Sequence, residues 1–303
     1  MIFSFFLTLV SGISLMILVL TVSLLLIGGE NVLYDIQGTD ASLFAPYRRF
    51  LAGRCSDRCP PPLLYASCLC LLMIFLFIPM GSFPQFVETD GDFIVIVFLL
   101  LASQGVYIRG MKVFSGEIYQ SFDTKELFVL SKFAVTLIAV GGTLSWYALN
   151  RGMPGSIFSL ETFTATSIWT VTGMWGKMGS AAFLLLLFAA SPSRGVTKTR
   201  IVDNVQIPEI FDAIRSTLAP AMIVSFFFPA RLGLALGLIG FKMYLVDFVS
   251  FWFRVMLVQI VLAPLAAKLF NKARDKSPER PGHLPEMIIG ASGIIFYMLD
   301  LYM

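Results

Sequence analysis

Three ionisable residues stand inside one long apolar run near the C-terminal end of the sequence: Lys242, Asp247 and Arg254. A charge near the centre of a bilayer costs roughly 2.5 to 3.5 kcal/mol on insertion scales, so each needs a partner, a water-filled cavity or a function. Asp247 and Arg254 are seven residues apart, which puts them on one helix face about 10 Å from each other. That is too far for a direct pair, so intervening water or charges on other helices are expected. Glu126 and Lys132 form a second group, Glu209, Asp212 and Arg215 a third, and Arg109 and Lys112 close another apolar run.

Together these residues are candidates for a polar file running laterally through a helix bundle. Hydrated groups in such a file can pass a proton or another ion without exposing charge to lipid. Polar packing inside a complex would leave the same trace in the sequence. For terminal charges such as Lys112 and Lys125, snorkelling to the membrane interface is the simpler reading. For Lys132, Asp247 and Arg254, snorkelling is hard.

The elements that must carry these charges follow from composition. Of 303 residues, 57% are hydrophobic and only 14% charged, too few polar groups to cover a soluble domain of this size. Backbone polar groups in hydrocarbon must bond internally, and long continuous apolar runs select helices over barrel strands. The expected fold is all-α: a single polytopic transmembrane domain over residues 1–303. Its helices are expected near 2–28, 63–80, 92–110, 125–148, 167–190, 208–228, 240–266 and 284–303. The first run lacks the features of a cleaved signal and reads as a retained helix.

Basic residues alternate between the connections. The first holds Arg48, Arg49, Arg54 and Arg58; the third Arg109, Lys112 and Lys125; the fifth Arg194, Lys198 and Arg200; the seventh Lys268, Lys272, Arg274, Lys276 and Arg280. The alternate connections are poor in bases: 81–91 carries Glu88 and Asp90, and in 149–166 Arg151 is balanced by Glu161. The positive-inside rule then puts the basic loops in the cytoplasm and both termini outside the cell membrane. Residues 41–51 (ASLFAPYRRFL) mix apolar positions with an arginine pair, as an interfacial helix or a docking surface does.

Enzymatic motifs are absent. No glycine-rich phosphate loop, no His-Glu-x-x-His pair and no paired acidic magnesium motif occurs, so a catalytic centre in this chain is not expected. Cys55 and Cys59 sit in a loop, Cys68 and Cys70 in an apolar run, and the single histidine is His283. A lone Cys-x3-Cys falls short of the ligand set for zinc or an iron-sulfur cluster, and no metal or other cofactor is expected in this chain. Nor does any feature point to nucleic acid.

Two segments carry a family resemblance. Residues 81–101 (GSFPQFVETDGDFIVIVFLLL) and 123–134 (DTKELFVLSKFA) resemble an outer loop with its following helix, and the basic-Glu-Pro element opening the next helix. The family in which both occur includes subunit 1 of respiratory complex I and the equivalent membrane subunit of energy-converting, membrane-bound nickel-iron hydrogenases. In the second segment Lys125 and Glu126 take the basic and acidic positions, and a leucine replaces the proline. The connection 190–208 (ASPSRGVTKTRIVDNVQIP) is short and basic where quinone-reducing members carry a long acidic stretch. The resemblance therefore points to a hydrogenase-type or ferredoxin-linked complex.

The resemblance implies a non-catalytic coupling and anchor subunit of a multisubunit redox-driven ion pump, translocating protons or sodium, with Glu126 as a coupling carboxylate. Iron-sulfur clusters and nickel-iron would belong to peripheral iron-sulfur and hydrogenase-like partner subunits, and antiporter-like membrane subunits would lie alongside in the bilayer. Arg48, Arg49, Arg109, Lys112, Arg194, Lys198 and Arg200 are the expected docking residues. The competing reading is a stand-alone secondary ion transporter or antiporter.

Overall fold

A computed structural model describes residues 12–26, 29, 61–80, 92–115, 120–153, 159–160, 162–163, 167–190, 206–229, 231–274 and 284–303. Among them the regular structure is helical and no sheet forms. The helices are α1 (Gly12–Leu26), α2 (Pro62–Ile74), α3 (Asp92–Ser115), α4 (Gln120–Asn150), α5 (Ile168–Val171), α6 (Met174–Ala190), α7 (Gln206–Phe227), α8 (Leu232–Ala235), α9 (Phe241–Arg274) and α10 (Leu284–Tyr302). Four segments are long and apolar enough to cross a membrane: Phe93–Phe114, Ser131–Asn150, Ile210–Phe227 and Phe241–Ile260. Shorter apolar helices at Gly12–Leu26, Pro62–Ile74, Met174–Ala190 and Met287–Tyr302 bring the candidates to eight. The chain is a multi-pass helical membrane protein.

Several boundaries differ from the expected ones for local reasons. The run expected as one helix over 167–190 is broken, because Thr172 adopts an extended backbone between α5 and α6. The run expected over 63–80 leaves the helix at Ile74 and finishes in turns. Conversely, α9 runs on to Arg274, since the residues after 266 are good helix formers and hydropathy alone does not mark their end.

Two compact units divide the chain. The first comprises Met1–Leu76, Phe98–Ser131 and Arg194–Leu218, the second Phe77–Val97, Lys132–Ser193 and Ala219–Met303. In the first, Leu24 of α1 packs on Ala213 of α7, and Tyr107 of α3 stacks on Phe211 of α7 with ring centroids 4.0 Å apart. In the second, Phe93 of α3 meets Phe226 of α7 edge-on at 5.9 Å.

The second unit is built most heavily on α6 against α10. Lipid gives apolar side chains no hydrophobic reason to leave it, so close packing of small residues has to supply the attraction. A Cβ on Gly179 would stand 2.8 Å from the Tyr297 ring, and one on Gly293 2.6 Å from the Phe183 ring. Phe183 and Tyr297 stack at 5.5 Å through that gap. Gly293→Val should therefore lower stability by about 1 to 3 kcal/mol through overpacking. Gly142→Ala, whose Cβ meets nothing within 4 Å, should be neutral or mildly stabilising. Thermal unfolding of the two variants in detergent checks the contrast.

Candidate functional site

Asp247 lies on α9 with 0% exposure, and its surroundings are fixed by the short turn α8. The Gly233 N–H donates to Asp247 Oδ1 at 2.6 Å. A glycine is needed there, because a Cβ at residue 233 would come within 2.6 Å of the Met243 carbonyl oxygen. Two turns further along α9, half-buried Arg254 donates to the Phe228 carbonyl at 3.1 Å and to Ser250 Oγ at 2.7 Å. These bonds go to backbone groups at chain breaks and to a hydroxyl of the same helix. An unpaired carbonyl at the end of a helix is a good acceptor for a guanidinium, because the helix dipole leaves it partly negative.

Of the other candidates in this unit, Lys132 is half-buried on α4 and Lys242 is exposed at the start of α9. In the first unit, Asp212 and Arg215 form an ion pair one turn apart on α7, Oδ1 to Nη2 2.9 Å. The Arg215 guanidinium sits over the Phe211 ring, 5.9 Å from its centroid. Arg109 and Lys112 are exposed on α3. Glu126 lies on α4 and Glu209 on α7, with side chains outside the described set. Arg48, Arg49, Arg194, Lys198 and Arg200 fall outside the described residues, as do the segment 41–51 and His283.

A dense polar cluster among the described residues was not among the sequence candidates. Asp300 of α10 is buried, and Tyr147 of α4 donates its hydroxyl to Asp300 Oδ2 at 2.5 Å. Arg151, just beyond the end of α4, pairs with the same oxygen at 3.1 Å and also donates to the Asp300 backbone carbonyl. Its Nε donates to the Tyr147 oxygen at 3.1 Å. The partner of Arg151 is thus Asp300. The bond to Tyr147, with Asp300 beside it, raises the Arg151 guanidinium above its ordinary pKa and keeps it a cation.

Backbone completes the cluster. The Gly173 N–H donates to Asp300 Oδ2 at 3.0 Å, and Gly176 contributes a second backbone donor. Asp300 therefore caps the start of α6 from another helix, at the break that Thr172 introduces. Nearby, Ser180 Oγ and the Tyr297 hydroxyl bond at 2.5 Å, and the Tyr147 and Tyr297 rings meet edge-on at 4.7 Å. A carboxyl group held by a tyrosine, an arginine and two backbone N–H groups locks helices together.

No set of three His, Cys, Asp or Glu side chains that could hold a metal ion occurs among the described residues. Cys68 and Cys70 are free thiols.

No protein-family profile matches the sequence, and no curated protein matches it. Among solved structures, the chain is similar to one in the membrane-bound sulfane sulfur reductase, an archaeal respiratory membrane complex. The match has a TM-score of 0.55 at 14% identity and covers 96% of this chain and 99% of the other. At this identity the likeness is one of fold: the chain has the architecture of a membrane protein from a multisubunit respiratory complex.

Removing the Asp300 acceptor should cost more than removing any one donor. Asp300→Ala leaves Tyr147, two N–H groups and a cation that is 36% exposed without their partner, a loss of about 2 to 3 kcal/mol. Asp300→Asn keeps an acceptor oxygen and should cost less, and Tyr147→Phe about 1 kcal/mol. Unfolding midpoints in detergent that fail to follow this order would show that the cluster does not hold α10 to α6.

Proposed function

We propose that this chain is the membrane anchor and energy-coupling subunit of a multisubunit, redox-driven ion pump of the hydrogenase or complex I-like kind. The observation that carries this reading is the end-to-end fold likeness to a chain of an archaeal respiratory complex, over 96% of one chain and 99% of the other. Buried charge supports it: Asp247 is wholly enclosed and Arg215 is 7% exposed, an expensive choice for a helix bundle that only anchors.

In this reading the basic loops face the cytoplasm and seat the peripheral subunits, with Arg109 and Lys112 at the end of α3 as part of the docking surface. Iron-sulfur clusters and a nickel-iron centre, where electrons are handled, reside in those partners. Asp212, Lys132, Lys242, Asp247 and Arg254, with Glu126 and Glu209, relay the redox state to antiporter-like neighbours that move protons or sodium. The chain itself contributes charge and position.

Affinity purification of the tagged chain from native membranes in a mild detergent, with mass spectrometry, tests the assembly. Iron-sulfur, hydrogenase-like and antiporter-like proteins are expected in stoichiometric amounts. Purification as a lone carrier that moves ions after reconstitution would overturn the proposal. Asp247→Asn, which retains an acceptor for the Gly233 N–H, should reduce redox-coupled ion transport several-fold in an intact complex, as should Glu126→Gln. Transport at the wild-type rate in both variants would remove these carboxylates from the coupling machinery.

A further inference from the structure

We infer that α9 presents the face on which a neighbouring membrane subunit docks, and that the partner helix brings an aspartate or glutamate to Arg254. Burial and charge run opposite ways along this chain. Of the four segments long and apolar enough to span a membrane, Phe241–Ile260 has only 28% of its apolar stretch buried. The corresponding share is 50% for Phe93–Phe114 and for Ser131–Asn150, and 89% for Ile210–Phe227. Yet Phe241–Ile260 carries Lys242, Asp247 and Arg254, more charges than any of the other three. Lipid favours the reverse, because charge is costliest where hydrocarbon reaches it.

The uncovered side of α9 is an ordered surface. Phe241, Leu245, Val249, Phe253 and Leu257 recur every fourth residue, and each is between 45% and 78% exposed. A row at this spacing forms a ridge that fits the groove of another helix. Arg254 follows Phe253 and lies one turn from Leu257, so it stands at the rim of the ridge. Its guanidinium donates to the Phe228 carbonyl and to Ser250 Oγ, both neutral, and among the described residues no carboxylate lies within ion-pair distance of it. Ile260, the nearer end of the span, is roughly 9 Å of helix away. The side chain reaches back towards Ser250, away from that end, and so does not snorkel out. A cation held at membrane depth beside an uncovered ridge calls for an anion from outside the chain. A second copy does not supply one: Asp247 is the only acidic residue of α9 and is wholly buried, so two copies meeting along the ridge would set Arg254 against Arg254.

That the partner belongs to a redox complex rests on the proposed function; the docking face itself does not. A photo-cross-linking benzoylphenylalanine at position 253 or 257 of the full tagged chain, irradiated in native membranes and read by mass spectrometry, tests it. Both positions should link to one integral membrane protein, through an apolar span that carries an Asp or Glu within about two turns of the linked residue. Arg254→Gln should lower the yield of that link several-fold, and Arg254→Lys should retain most of it. Should Arg254→Gln fail to fold, Val249→Trp, which adds bulk on the exposed ridge, should abolish the link instead. Adducts with phospholipid alone, or with a second copy of this chain, would overturn the inference even where redox subunits co-purify. So would a linked span without an acid, or undiminished linking in the folded Arg254→Gln variant. Were the linked, acid-bearing span to belong to a protein outside any redox assembly, the docking face would stand and the proposed function would fall.

Discussion

Lipid supplies no hydrogen bonds, so each break in a membrane helix and each buried charge needs a partner from the protein itself. In this chain the two needs answer each other. Asp300 takes the N–H groups freed where α6 begins, Asp247 takes one from the α8 turn, and Arg254 donates to the carbonyl left where the chain passes out of α7. A charge that would be costly against hydrocarbon becomes a cap, and an irregular stretch that would be costly becomes its partner. The irregular segments around Thr172 and Gly233 depend on these carboxylates, and the position of α10 against α6 depends on the first of them.

Close packing follows from the same constraint. Asp300 reaches its backbone donors because Gly173 carries no side chain: a Cβ there would lie 2.5 Å from Asp300 Oδ1. The glycines of α6 and α10 then let Phe183 and Tyr297 stack between the helices. Polar clamp and small-residue contact lie along the same pair of helices, so loss of either loosens the other. Asp247 shows the same logic at Gly233, where backbone approach and carboxylate capping occur at one residue.

Asp300 and Asp212 stand in different surroundings. Asp300 is held by an arginine, a tyrosine and backbone N–H groups, and it ties α10 to α4 and α6. Asp212 pairs with Arg215 on its own helix, one turn away, and its side chain is partly exposed.

Much of the fold was legible because hydropathy is local and sums along the chain. Each expected span corresponds to a helix or part of one in the described residues, and Lys132, Asp247 and Arg254 were singled out because an apolar run makes any charge conspicuous. Asp300 was equally visible between Leu299 and Leu301 but sits near the edge of its run, where a charge attracts no notice. The Thr172-Gly173 break was also written in the sequence, yet no local rule separates a threonine and glycine that break a helix from a pair that stay within one. What the sequence by itself determined is the solvent, the helical class and the positions of costly charges. Only the tertiary structure decided their partners, because Tyr147, Gly173 and Asp300 lie far apart along the chain and meet only once particular helices pack side by side.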